Sequence, residues 1–251
     1  MGKWSISLLL GSTLGLVSAS AVQAAELRVI AGGGIAAALN EIAALFERAS
    51  GHRVVIRYGT APELIKMAAS GVPFDLGVVP QDVWNDAAAR TQLAPGPTPD
   101  VARVGIGVAV RSGAPKPDIS TAAALKETLL KAQSIASIPA SATGAQLAGI
   151  YERLGITDEM KVKTKAQPAP KQVVEAVAGG EAELAVFGLN VLIDPRLDIV
   201  GPFPPEVQRE VVYAAGFAST SKELEAAKAF LAYLMSAPAI AVIKAKGMNP
   251  G

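Results

Sequence analysis

The residues of this chain that can do chemistry stand in short turns between predicted strands and helices. Thr60 and Glu63 follow one strand, Ser141 and Thr143 follow another, and three glycines at positions 32–34 follow the first strand. These turns offer hydroxyl groups, amides and the free backbone N–H groups of helix starts, and almost no charge. Such groups hold an anion or a polar small molecule. The pattern therefore predicts a binding site.

Several of these side chains also have a structural interpretation. Glu63 lies three residues after Thr60, the spacing of a capping box, and we favour helix capping over catalysis for it. One of Ser141 and Thr143 is expected to cap a helix, which leaves the other hydroxyl for a ligand. Asp82 is interpreted as a cap rather than a ligand group. Three amides are further candidates for the site: Gln81, Gln172 and Asn190.

The chain lacks the motifs of common hydrolases and metalloenzymes. It contains no G-x-S-x-G, no H-E-x-x-H and no P-loop, and its one histidine, His52, is predicted to lie on the surface at the far end of the first helix. There is no cysteine, so thiolate chemistry and disulfides are excluded. Lys161, Lys163 and Lys165 alternate and are interpreted as the solvated face of a strand. We predict neither a metal nor a cofactor.

Composition narrows the function further. The chain has 23 Lys and Arg against 22 Asp and Glu, and 51% of its residues are apolar but only 5% aromatic. A nucleic-acid surface needs a basic excess, which is absent, so we expect no nucleic-acid partner. The core must be built from Ala, Val, Leu and Ile.

The N-terminus has the pattern of a secretory signal peptide. Lys3 precedes an apolar run from about Ile6 to Val17, and small residues follow up to Ala24. The run is too short to span a bilayer, which takes about 20 residues. We therefore predict a leader at residues 1–24, cleavage before Ala25 or Glu26, and export to the periplasm.

Strand-like and helix-like segments then alternate, which is typical of parallel sheets with helices on both faces. The predicted strands cover residues 27–30, 53–58, 75–79, 103–110, 134–138, 162–165, 184–187 and 207–217. The predicted helices cover residues 35–50, 62–70, 82–90, 122–131, 144–154, 171–178 and 222–235.

The two long strands, 103–110 and 207–217, separate two α/β runs and predict a two-lobed α/β fold. Each lobe would be a mostly parallel sheet flanked by helices, with two crossover strands. We predict that residues 25–101 and 203–251 form the first lobe and residues 102–202 the second. Ligands bind beyond the carboxyl ends of parallel strands, so the turns of both lobes would line one cleft.

Several stretches carry a resemblance to a known family. They include VIAGGGI, LIKMAASGVPFDLGVVPQDVW, AGIYERLG, APKQVVEAV and ELAVFG. The chain resembles the periplasmic molybdate-binding proteins of ABC transporters and their wider relatives. The resemblance covers nearly all of the chain after the leader, and residues 65–84 are its most specific part. It implies a periplasmic binding protein fold, a small anionic or polar ligand, an inner-membrane ABC permease as partner, and a monomer.

The resemblance also implies the site, with departures from the family's pattern. The family's first-turn serine is here Gly34, its serine cluster is here Thr60, Ala61 and Pro62, and its late tyrosine is here Phe187. Its two backbone contacts fall in the 141–143 turn and near Gln172. The implied ligand-binding residues are Gly33, Gly34, Thr60, Ala61, Ser141, Ala142, Thr143, Gln172, Val173 and Phe187.

Lost hydroxyl groups should weaken the binding of a compact oxyanion, because each hydrogen bond to a charged group is worth about 1.5–3 kcal/mol. We therefore favour a small anion or organic acid over molybdate or tungstate. Molybdate or tungstate binding stays an alternative, and so does a ligand-sensing partner of a membrane receptor. A further alternative is an enzyme on the same scaffold, since periplasmic aconitate isomerases resemble this family. Proton transfer needs a positioned base, and Glu63 is the candidate for it.

Overall fold

The computed structural model describes residues 24–251, so the predicted leader lies outside the described residues except for Ala24. The described residues form ten strands and eleven helices, with a short 3-10 turn at Gly33–Ile35. The strands are β1 (Glu26–Gly32), β2 (Arg53–Gly59), β3 (Leu76–Pro80), β4 (Asp100–Arg111), β5 (Ile135–Ser137), β6 (Thr164–Ala166), β7 (Leu184–Gly188), β8 (Leu197–Pro202), β9 (Glu210–Phe217) and β10 (Asn249–Pro250). The helices are α1 (Ala36–Ser50), α2 (Ala61–Ala69), α3 (Gln81–Asn85), α4 (Ala87–Arg90), α5 (Ala122–Lys131), α6 (Ala142–Leu154), α7 (Thr157–Lys163), α8 (Pro170–Ala178), α9 (Leu189–Leu192), α10 (Leu224–Leu234) and α11 (Ala237–Ala245).

The strands follow the order β2-β1-β3-β9-β4-β7-β5-β6, and β8 and β10 also pair with β4. The pairs β2–β1–β3 are parallel, and so are β6–β5–β7. Strand β4 joins the two groups because its first half pairs with β9 and its second half with β7, both antiparallel. We call the part built on β1, β2, β3 and β9 the first lobe, and the part built on β5 to β8 the second lobe. The prediction of a two-lobed α/β fold is confirmed. The residue boundaries of the lobes, 25–101 with 203–251 and 102–202, remain a prediction.

Each lobe has its own apolar core. In the first, α1 buries one face, with Leu39, Ile42 and Phe46 packed on the sheet and against Phe230 of α10. These positions recur at helical spacing, which is why the periodicity predicts this helix correctly. Gly51 ends it with a positive φ of 74°, a conformation that glycine adopts without strain. In the second lobe, α5, α6 and α7 cover one face of the sheet and α8 the other.

The predicted strand at 162–165 is wrong in its first half. Residues up to Lys163 belong to α7, and β6 begins at Thr164. The helix forms because Ile156 and Met160, four residues apart, are both buried, while Val162 is 86% exposed. Asp158 and Glu159 also stand in its first turn, where the helix dipole favours acidic residues.

The three alternating lysines are therefore not one face of a strand. Lys161 pairs with Asp158 on α7 at 3.1 Å. Lys163 donates to the carbonyls of Leu130 and Ala132, the latter at 2.7 Å, and so stabilises the end of α5. Only Lys165 lies on β6.

The predicted helix at 82–90 is divided into α3 and α4. Asp86 has an extended backbone, and its carboxylate accepts from the N–H groups of Ala88 and Ala89 at 3.0 Å. Asp86, not Asp82, is thus the capping aspartate, because α3 already begins at Gln81 and places Asp82 inside its first turn.

The surface position predicted for His52 is also wrong. The residue is 9% exposed, and its ring stacks on Phe46 with 5.8 Å between the ring centres. Its Nδ1 accepts from the N–H of Ala25 at 3.0 Å. Ala25, just before β1, lies against His52 at the end of α1 and covers it. The two residues are far apart in the sequence, so the local pattern around His52 does not predict this contact.

The sequence interpretation missed β8, α9, α11 and β10, and it began β9 three residues too early, at Val207. No single helix among residues 24–251 is long and apolar enough to cross a membrane. The helices α10 and α11 reach that length and hydropathy only when taken together, and their axes are bent by 59° at the break between them.

Candidate functional site

The first turn of the site, residues 32–34, is shaped by an aromatic ring. A Cβ added at Gly34 would lie 2.3 Å from the hydroxyl oxygen of Tyr213, and one at Gly32 would lie 2.8 Å from its Cε1. Tyr213 comes from β9, beside β3, and is only 3% exposed. The ring therefore rests against the turn, and only glycine permits this close approach.

The second turn is the predicted capping box. The N–H and the hydroxyl of Thr60 donate to Oε2 of Glu63 at 2.8 and 2.9 Å. These two hydrogen bonds, the backbone one first, lower the pKa of the Glu63 carboxyl. Glu63 is thus held as a carboxylate at the start of α2, as the capping interpretation expects.

The third turn precedes α6. The hydroxyl of Ser141 accepts from the N–H of Gly144 at 3.0 Å and donates to the carbonyl of Ile138 at 2.7 Å. Ser141 is therefore the cap, and Thr143 is buried in the first turn of the helix.

These turns enclose a cavity of about 310 Å³ between the lobes, which we call the main cavity, and a narrower inner pocket of about 30 Å³ beside it. Five predicted residues line both spaces: Gly33, Gly34, Thr60, Ser141 and Phe187. Three more line the inner pocket: Ala61, Ala142 and Thr143. The structure thus brings most of the predicted turns together.

Four candidates do not line either space. Val173 is fully buried in the core of the second lobe, and Gln172 stands beside it near the start of α8. Gln81 lines a neighbouring pocket with Asp82 and Glu210. Asn190 lies behind the first turn, where its side-chain amide donates to the carbonyl of Gly34 at 2.6 Å and ties the second lobe to the first.

The structure adds residues that the sequence interpretation did not select. Tyr213 lines the inner pocket and Tyr58 the main cavity. The hydroxyl of Tyr58 donates to Oδ1 of Asn40 at 2.7 Å. Burial raises the pKa of both tyrosines, so both hydroxyls stay protonated. The remaining additions to the main cavity are Ala36, Gly59, Ile138, Pro168, Ala169 and Pro170.

The site is almost free of side-chain charge. The described residues that line the main cavity and the inner pocket include Glu63 but neither lysine nor arginine. The starts of α2, α6 and α8 lie at its wall and present the positive ends of their helix dipoles. Within residues 24–251, no group of three or more His, Asp and Glu is placed to hold a metal ion. The arrangement can hold an anionic group through N–H and O–H donors.

Replacing Glu63 with glutamine tests whether this residue acts as a cap. We expect Glu63→Gln to lower the free energy of unfolding by less than about 1 kcal/mol at neutral pH, because the pair is exposed. The folded-state pKa of Glu63 is lowered, so its stabilisation is present above the ordinary glutamate pKa and is lost as pH falls through the lowered value.

Urea unfolding of both proteins at about pH 7 and about pH 3 should therefore show a difference that shrinks in acid. The exposed Glu206 gives a matched control, Glu206→Gln, with no expected change. An equal difference at both pH values would contradict the capping role.

Comparison with known proteins finds both solute-binding proteins and an enzyme among the similar sequences. The model of the family described as bacterial extracellular solute-binding protein matches residues 27–249. The chain is 36% identical to an aconitate isomerase from Pseudomonas sp over 97% of this chain and 94% of that protein. It is 27% identical to the molybdate-binding protein ModA of Azotobacter vinelandii over 91% of this chain and 92% of that protein.

Solved structures show the same fold. The periplasmic molybdate-binding protein of Azotobacter vinelandii superposes with a TM-score of 0.74 at 21% identity, covering 90% of this chain and 99% of that one. The sulfate-binding protein SubI of Mycobacterium tuberculosis superposes with a TM-score of 0.71 at 15% identity, covering 90% and 87%.

Proposed function

The chain belongs to the family of bacterial extracellular solute-binding proteins, and from that premise we propose that it binds a small organic acid in the main cavity and delivers it to an inner-membrane ABC permease. The observation that carries this proposal is a cavity of about 310 Å³ lined by neutral donors and apolar groups, with Glu63, already bonded to Thr60, as its one charged side chain among the described residues. We place the protein in the periplasm, as is typical of the family, after removal of the leader predicted at residues 1–24.

The lining favours one or two carboxylates over a compact dianion. A desolvated ion must recover its lost hydration from fixed donors, and the hydroxyl groups that the family's pattern places at Gly34 and Phe187 are absent here. Helix starts and hydroxyls can hold a carboxylate, whose charge is smaller than that of molybdate or sulfate. Ile138, Phe187 and the prolines at 168 and 170 give the rest of the cavity an apolar wall. Such a wall suits an organic body.

Tyr213 supplies a hydroxyl group in the inner pocket that the sequence analysis did not consider. Gly34 and Phe187 stand where the resemblance places hydroxyl groups, which argues for weak oxyanion binding. Yet the hydroxyl of Tyr213 lies where a side chain at position 34 would begin. One of the two missing donors is therefore replaced from β9. Thr143 also lines the inner pocket, whereas the hydroxyl and the N–H of Thr60 already donate to Glu63. We propose that a carboxylate enters this pocket while the organic body fills the main cavity.

A second candidate function is the isomerisation of a small carboxylic acid, favoured by the aconitate isomerase relative at 36% identity. Moving a proton from carbon requires a base whose pKa is raised toward the working pH. Glu63 has the opposite property, because its hydrogen bonds with Thr60 lower its pKa. Burial raises the pKa of Tyr58 and Tyr213, which makes them proton donors rather than bases. The site thus supports binding better than catalysis.

Calorimetric titration tests the proposal. The processed protein should bind monocarboxylic or dicarboxylic acids and should bind molybdate, tungstate and sulfate more weakly. The same sample incubated with cis-aconitate and followed by NMR should show no trans-aconitate. Molybdate binding tighter than that of every acid would contradict the proposal. Conversion of cis- to trans-aconitate that is lost in Glu63→Gln would establish the second candidate instead.

A further inference from the structure

The first turn of the site is held from the opposite lobe. Residues 32–34 end β1 and begin the 3-10 turn of the first lobe, whereas Asn190 belongs to α9, which follows β7 in the second lobe. The side-chain amide of Asn190 donates to the carbonyl of Gly34 at 2.6 Å. Gly34 lines both the main cavity and the inner pocket. This hydrogen bond therefore joins the second lobe to a part of the first lobe that faces the ligand space.

Three successive glycines give this turn little rigidity of its own. A glycine loses more conformational entropy on ordering than any other residue, because no side chain restricts its backbone. The ring of Tyr213 limits the space beside Gly34, but a ring contact does not fix the direction of a peptide group. A hydrogen bond to the Gly34 carbonyl does fix it. Since the peptide unit is planar, the held carbonyl also determines where the N–H of Ile35 points.

Asn190 is in turn held in place by the second lobe. The preceding residue, Leu189, packs on β4 at Gly107, where a Cβ would collide with its Cδ2. Gly188 leaves room for the amide, because a Cβ at that position would lie 3.0 Å from Oδ1 of Asn190. The packing of α9 thus sets the position from which Nδ2 of Asn190 reaches the carbonyl of Gly34.

We propose that Asn190 is a positioning residue, which from the second lobe holds the first turn of the site in the conformation that receives the ligand. This rests on the proposed function, because it assigns the turn at residues 32–34 to the bound acid. Asn190 lines neither the main cavity nor the inner pocket, so it acts through the Gly34 carbonyl and not by contact with the ligand. A turn that is ordered before binding spares the ligand the cost of ordering it and so strengthens binding.

Calorimetry on the processed protein, with succinate as the probe, gives the first test. Asn190→Ala removes the donor to Gly34, and we expect it to raise the dissociation constant of succinate about five-fold. Asn85→Ala removes the same amide group from the exposed end of α3 and lines neither the main cavity nor the inner pocket, so it serves as the control. We expect this control to change the dissociation constant less than about two-fold.

Gly188→Ala disturbs the same hydrogen bond without changing Asn190. The added methyl carbon would lie 3.0 Å from Oδ1 of Asn190 and displace the amide, whereas the methyl groups of Val104 would stay at an ordinary 3.8 Å. We expect the substitution to weaken succinate binding in the unaltered protein and to have no further effect in an Asn190→Ala background. Such non-additivity in a double-mutant cycle shows that both changes act through one interaction.

The NMR signals of the glycine amides give a readout that needs no ligand. In protein labelled with ¹⁵N-glycine, Asn190→Ala should shift and broaden the signals of Gly33 and Gly34, because the turn then exchanges between conformations. The signal of Gly149, on the exposed face of α6, should stay in place. Asn85→Ala should leave all three signals unchanged. A substitution that only lowered stability would not single out the first turn.

Two results would overturn the proposal. One is a pair of Gly33 and Gly34 signals that are the same in Asn190→Ala and in the unaltered protein. The other is a loss of succinate binding in Gly188→Ala that is equally large in the Asn190→Ala background, because the amide would then not carry the effect. If neither succinate nor any other acid binds, the organic-acid proposal fails, while the glycine signals still decide whether Asn190 orders the turn.

Discussion

Replacing Tyr213 with phenylalanine is expected to weaken the binding of an organic carboxylate by about ten-fold or more, since a hydrogen bond to a charged group is worth about 1.5–3 kcal/mol. The Tyr213 side chain lines the inner pocket together with Thr60 and Thr143. Burial raises the pKa of Tyr213, so its hydroxyl remains a donor throughout the physiological range. The substitution removes one oxygen and leaves the ring that packs against Gly32.

The measurement is calorimetry with the acid that binds most tightly to the unaltered protein. Tyr58→Phe is the matched control, because Tyr58 lines the main cavity but gives its proton to Asn40. We expect that control to change the dissociation constant less than about three-fold. Both variants should unfold at nearly the temperature of the unaltered protein. Equal binding by Tyr213→Phe and the unaltered protein would remove Tyr213 from the site.

The fold and much of the candidate site are predictable from local patterns. Strands followed by helices imply a parallel sheet, and parallel strands bring the turns at their carboxyl ends to one edge. Gly33, Thr60, Ser141 and Phe187 meet around the main cavity for this reason. The capping box at Thr60 and Glu63 is likewise a matter of spacing and of side-chain chemistry.

Tyr213 could not be found in that way. It lies within an antiparallel strand, and it reaches the site only because β9 is inserted between β3 and β4. The order of strands is set by packing across the whole lobe and leaves no local signal around residue 213. The helix α7 was missed for a related reason: short runs such as 157–163 fit a helix and a strand about equally well until the buried face is known.

Gly34 and Tyr213 should be energetically coupled, and Gly34→Ala tests this. A Cβ at position 34 would lie 2.3 Å from the hydroxyl oxygen of Tyr213. The second-nearest atom to that Cβ would be Cζ of the same ring, at 3.5 Å. Forcing an atom into a packed site costs about 1–3 kcal/mol of unfolding free energy. In a Tyr213→Phe background the nearest atom is at an ordinary contact distance, so the same substitution should cost much less.

The coupling is read from urea unfolding of Gly34→Ala, Tyr213→Phe and the double variant, as a double-mutant cycle. Gly33→Ala is the control, because its Cβ would meet its nearest neighbour, Pro170, at 3.9 Å and should be tolerated. If Gly34→Ala lowers the free energy of unfolding equally with and without the Tyr213 hydroxyl, contact with that hydroxyl is not the reason why position 34 is glycine. A cost that disappears with the hydroxyl would mean that the first turn has room for one donor, either from residue 34 or from Tyr213. Glycine would then stand in place of the family's serine because the Tyr213 hydroxyl occupies the space of a side chain there, and the pocket would keep a hydroxyl donor at this point.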